Sequence, residues 1–74
     1  MELTLAQKKQ AVDLLMGDAL RQKYIAEVNY RVSKNVGDKE ALEANKKNLE
    51  KITMAIDELE KVKAELEATD AKTD

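Results

Sequence analysis

The sequence predicts an all-α fold, an antiparallel two-helix hairpin with coiled-coil-like packing, completed to a larger helical bundle by a second chain. Three observations predict it. Proline is absent, glycine occurs only at positions 17 and 37, and helix formers dominate both halves. A stop signal and a start signal coincide near the middle of the chain. The second half carries apolar residues at alternating steps of three and four.

The first helix is expected over residues 4–34. Thr4 followed three residues later by Gln7 has the pattern of a capping box, in which each side chain satisfies a backbone N–H of the other's turn. The connection spans residues 35–38, Asn-Val-Gly-Asp. Gly37 takes a left-handed conformation at no steric cost and closes a helix. Asp38 accepts from the free N–H groups that open the next one. Asp38 and Glu40 also place negative charge at the positive end of that helix's dipole. The second helix is expected over residues 39–68, with a flexible tail at 69–74 that has nothing to bury. Two helices of similar length joined by a short connection lie antiparallel. The charge distribution agrees. Residues 1–36 carry six Lys/Arg and four acids, whereas residues 37–74 carry seven Lys and eleven acids.

The second helix shows one clean seam: Leu42, Leu49, Ile52, Ile56, Leu59 and Leu66, with Asn45 and Lys63 completing the repeat. A polar residue at a core position can fix register at some cost in stability; the favoured reading is instead that both lie near the frayed ends of the seam, where water is expected to reach them. Ala41, Ala55 and Val62 flank it at heptad spacing. The opposite face is charged, with i,i+4 pairs such as Glu43–Lys47 and Asp57–Lys61, a solvated surface with no sign of a binding site.

The first helix differs. At roughly 100° per residue its apolar positions form two stripes. One contains Val12, Leu15, Met16, Ala19 and Ala26, together with Leu5 and Tyr30, and is assigned to the seam within the hairpin. The other contains Ala11, Leu14, Ile25, Val28 and Val32, extended by Leu20 and Tyr24. One partner helix covers one stripe only. The composition leaves open which of the two faces the second helix. Leu14, Leu20, Tyr24, Ile25, Val28 and Val32 are assigned to a contact with another chain, because an exposed apolar strip of that length marks an association surface. Gly17 admits two explanations, close approach of another backbone or a tolerated surface glycine.

Chemistry is expected to be absent. There is no His and no Cys, which removes the commonest general base, the commonest metal ligand and the thiol nucleophile. Ser33 is the single serine and has no base beside it in the pattern. No Gly-rich phosphate loop occurs. The sequence therefore points to no enzyme, no cofactor, no metal and no catalytic residues. No apolar run approaches the ~20 residues of a membrane span, and no basic-then-apolar run opens the chain. No membrane association is expected, and the expected location is the cytoplasm or a particle assembled there. The functional expectation is a structural or interaction protein. It self-associates or docks on a larger helical protein as an accessory component of an assembly, a virus or phage particle among the candidates. The alternative is a dimeric four-helix bundle that binds RNA, with Lys8, Lys9, Arg31 and Lys34 on phosphates. Asp13, Asp18 and Glu27 dilute that charge, and nucleic-acid footprints are normally denser.

Overall fold

The computed structural model describes the backbone of residues 2–73 and the side chains of residues 2–69. Helix α1 runs Leu5–Val36 and helix α2 runs Lys39–Thr73. They pack antiparallel into a rod of 55 × 18 × 17 Å, and no strand occurs among the described residues.

Both ends of α1 are built as their residues dictate. The Thr4 hydroxyl accepts from the Gln7 N–H at 3.1 Å, and the Gln7 side chain accepts from the Thr4 N–H at 2.9 Å. Those bonds satisfy donors that a helix start leaves without intrahelical partners. At the other end Gly37 has φ 75° and ψ 24° and donates to the Ser33 carbonyl. A side chain at that φ would crowd the following carbonyl, so glycine is the residue that turns the chain. Asp38 follows at once. Its N–H also donates to the Ser33 carbonyl, and its carboxylate accepts from the Ala41 N–H at 3.1 Å. The link between the helices is thus two residues long. At the far end α2 extends to Thr73, five residues beyond the Ala68 at which its apolar pattern stops. Neither proline nor glycine interrupts that stretch, and Thr69 donates back to the Glu65 carbonyl at 3.0 Å. The helical backbone therefore takes in most of the segment assigned to a tail. Asp74 lies outside the described residues.

The contact between the helices is a double seam. On α2 it follows Leu42, Asn45, Leu49, Ile52, Ile56, Leu59 and Leu66, all buried or partly buried. Lys63 stays about half exposed and reaches across to Asp13 of α1, with 3.7 Å between nitrogen and oxygen. On α1 the buried and partly buried residues are Leu5, Lys9, Val12, Met16, Ala19, Lys23, Ala26, Tyr30 and Ser33. Their spacing alternates four and three without a break, the period that keeps a stripe facing one neighbour. Among the described residues Val12, Ala26 and Ile56 are the buried apolar ones, at 8%, 1% and 7% exposure. Ala26 is small, and a small residue lets two backbones approach. The seam is narrow, so most side chains on it keep an edge toward water.

Asn45 is not at a wet end. Its amide donates to the Ser33 hydroxyl at 2.7 Å and to the Asn29 carbonyl at 3.2 Å. The Ser33 hydroxyl in turn donates to the Asn29 carbonyl at 2.8 Å, and Ser33 is buried. This polar trio links the helices near the turn. A one-turn slip would leave Ser33 against an apolar neighbour, so the trio fixes register as polar core residues do in coiled coils. A double-mutant cycle with Ser33→Ala and Asn45→Ala is expected to give a favourable coupling of about 1 kcal/mol in thermal or urea melts. Additive effects of the two substitutions would mean that the bond carries no stability.

Candidate association face

The hairpin resolves which stripe of α1 is inside. Val12, Met16, Ala19 and Ala26 of the first stripe lie on the seam, with Leu5 and Tyr30. Leu15, assigned to the same seam, stays 55% exposed. It stands beside Ala19, Ala55, Leu59 and Val62 along an open apolar groove on one flank of the hairpin. The positions that composition alone passes over are Lys9, Lys23 and Ser33. Polar residues hide in an apolar count, yet a strict 3-4 register running from Leu5 would have found them. A lysine on such a seam covers neighbouring apolar atoms with its methylene stem.

The second stripe of α1 is open to solvent. Leu14 is 67% exposed and Ile25 57%, and Val28 and Val32 are also exposed. Among the described residues, eight of the eleven exposed large apolar ones lie on α1, whereas α2 contributes only Met54 and Val62. The asymmetry is structural. Helix α2 presents one apolar stripe and turns it inward. Helix α1 presents two, and a two-helix hairpin has no second neighbour for it.

The outer stripe has its own register: Ala11, Leu14, Asp18, Arg21, Ile25, Val28 and Val32. These steps again alternate three and four, so α1 carries two seams rather than one seam and a scatter of apolar residues. At roughly 100° per residue the outer seam lies about 160° from the inner one. Two of its members are charged, and they pair with each other. The Arg21 guanidinium lies 2.9 Å from the Asp18 carboxylate, one turn apart on the exposed surface. Gly17 adjoins this pair. A Cβ built on Gly17 meets nothing within 4 Å, so the glycine is not required by any contact inside the hairpin. Of the residues assigned to the outer contact, Leu20 and Tyr24 are exposed too; Tyr24 flanks the outer seam, whereas Leu20, at roughly 100° per residue, lies nearer the inner seam and is not part of the outer one.

The remaining surface offers little chemistry. Lys61 pairs with Glu58, not with Asp57, at 3.2 Å on the solvated face of α2. Lys9 lies on the inner seam while Lys8, Arg31 and Lys34 are exposed, so these four cations do not share one face. Among the described residues no three of His, Cys, Asp or Glu gather as they would around a metal ion. Among them, too, no helix is long and apolar enough to cross a membrane. The chain matches no known family model, and no curated protein and no solved structure is similar to it.

Proposed function

We propose that this protein is a non-catalytic helical subunit that acts by association through the outer face of α1. It either pairs with itself or docks as an accessory component of a larger assembly, a virus or phage particle being one setting for such a subunit. The observation that carries this reading is the second seam. Leu14, Ile25, Val28 and Val32 repeat at coiled-coil spacing on a face that α2 leaves uncovered. An amphipathic helix whose apolar stripe is exposed gains by burying it, at about 25 cal/mol for each Å² removed from water. The thin inner seam, with three buried apolar residues among those described, gives the hairpin a further reason to associate.

Sedimentation equilibrium of the purified chain, read together with circular dichroism, tests the proposal. A helical dimer or higher oligomer supports self-association. A largely unfolded monomer supports docking on a different chain that completes the fold. A stably folded monomer across the micromolar to millimolar range would sink both forms.

A further inference from the structure

The geometry points to a specific occupant of the outer seam: a second copy of this chain, antiparallel, with its two-fold axis between Asp18 and Arg21. This inference rests on the association reading above and adds the partner, the direction and the register.

The seam is charge-complementary to itself in one arrangement. In an antiparallel pair of helices, residues meet so that a position before the axis faces one the same distance after it. An axis midway between residues 18 and 21 sets Asp18 of each copy against Arg21 of the other. The same operation sets Leu14 against Ile25 and Ala11 against Val28. The apolar residues of these layers meet apolar ones and each charge meets its opposite; at each end of the overlap Val32 meets Gln7, where water reaches the seam. This is the isologous contact that two-fold dimers require. The existing Asp18–Arg21 pair within each chain then becomes half of a neutral four-charge cluster.

Other arrangements fail on the same residues. A parallel pair sets Asp18 on Asp18 and Arg21 on Arg21. An antiparallel pair slipped by one heptad sets Asp18 against Leu14 in one direction and against Val28 in the other. Each slip desolvates a charge without a partner, and such penalties are what confer specificity. The matched register also uses the helix most fully. Asp18 and Arg21 lie near the middle of Leu5–Val36, so residues 5–34 of both copies overlap, about 45 Å of helix at about 1.5 Å per residue.

Gly17 gains a role in this arrangement. Gly17 and Tyr24 stand one heptad apart on the same flank of the seam. The axis brings Tyr24 of each copy, exposed in the hairpin, beside Gly17 of the other, where the space above the backbone is empty. A glycine inside a helix and an exposed tyrosine are each unfavourable alone. Together they make a ring and the notch that receives it. Because the two seams of α1 lie on opposite sides, the dimer is a flat row of four helices in the order α2, α1, α1, α2, not a square bundle.

Site-specific cross-linking and charge exchange test this. The chain has no native cysteine, so introduced thiols report alone. Leu14→Cys is mixed with Ile25→Cys, one of them ¹⁵N-labelled, and oxidised gently. The mixed disulfide dimer is expected to dominate, with little product from either variant alone. Homodisulfides from each single variant would mean parallel pairing and would overturn the register. An associated native chain with no cross-link at either site would overturn this seam and leave association through another face. A monomeric native chain overturns the dimer outright. Asp18→Arg and Arg21→Asp are each expected to weaken dimerisation at least about tenfold, because each sets like charges together twice. The double exchange, Asp18→Arg with Arg21→Asp, is expected to return the dissociation constant to within a few fold of the native value. Both helix content and mass are read, so a variant that simply unfolds is recognised. Failure of the double exchange to restore affinity in a folded chain overturns the Asp18–Arg21 contact.

Discussion

Ile56→Asp is expected to unfold the hairpin. Among the described residues Ile56 is the one buried apolar residue on α2, at 7% exposure, and it sits midway along the inner seam. Removing its side chain costs about 2–5 kcal/mol by lost transfer energy and cavity formation. A carboxylate in its place adds a desolvation penalty of several kcal/mol, which the part-buried Lys23 of the α1 seam offsets only in part. A chain of this size has a total stability of roughly 4–11 kcal/mol at about 0.05–0.15 kcal/mol per residue. The substitution therefore removes most or all of it. Far-UV circular dichroism is expected to show loss of most helical signal at 25 °C. Asp at an exposed site such as Met54 is the control and is expected to leave the spectrum unchanged. An Ile56→Asp variant with a native melting temperature would mean that the inner seam does not hold the fold.

The second large effect concerns association and leaves the fold alone. Ile25→Asp combined with Val28→Asp is expected to abolish self-association while the helical signal persists. Both side chains are exposed in the hairpin, so neither substitution breaks a contact between α1 and α2. In an associated pair they are buried twice over, once in each copy. At about 1.5 kcal/mol for each of four partly covered side chains the loss is roughly 6 kcal/mol. A tenfold change in dissociation constant corresponds to about 1.4 kcal/mol, so affinity falls by about four powers of ten. Size-exclusion chromatography with light scattering, at concentrations where the native chain is associated, reads the change directly. Unchanged association would refute the outer seam as the contact.

The two variants divide the molecule along the line that the sequence drew. The same helix, α1, supplies both surfaces, and the effects separate because its seams lie on opposite sides. Residues of the first stripe answer to α2. Residues of the second have no neighbour in the hairpin, and their cost of exposure is recovered only on association.

Several particulars are legible in the sequence alone. Thr4 and Gln7 announce a capping box because that pairing is local, set by the geometry of one helical turn. Gly37 and Asp38 announce the turn for the same reason, since a left-handed residue and a cap act on their immediate neighbours. The α2 seam was legible because its members are nearly all Leu and Ile. The seam on α1 was harder. Lys9, Lys23 and Ser33 occupy it, and an apolar count assigns Leu15 there instead. Leu15 lies three residues after Val12 and four before Ala19 and so falls within the same broad arc, but the narrow contact between two helices leaves it on the rim. Asn45 was legible as a seam residue but not as a bonded one, because its partners Ser33 and Asn29 lie on the other helix.

By itself the sequence determined what depends on neighbours along the chain: two helices, their caps, the point where the chain reverses, and the presence of two apolar stripes on the first helix. Helical hydrogen bonds and caps close over three to five residues, so local order suffices. Which stripe faces inward was decided only by the tertiary structure. A link of two residues fixes how α1 is rotated as it meets α2, and that rotation brings Val12, Ala19, Ala26 and Ser33 onto the inner seam. Ser33 is then paid for by Asn45 across the hairpin, an arrangement that no count of apolar residues contains. Leu14, Ile25, Val28 and Val32 are left facing solvent, together with the Asp18–Arg21 pair at the middle of their stripe.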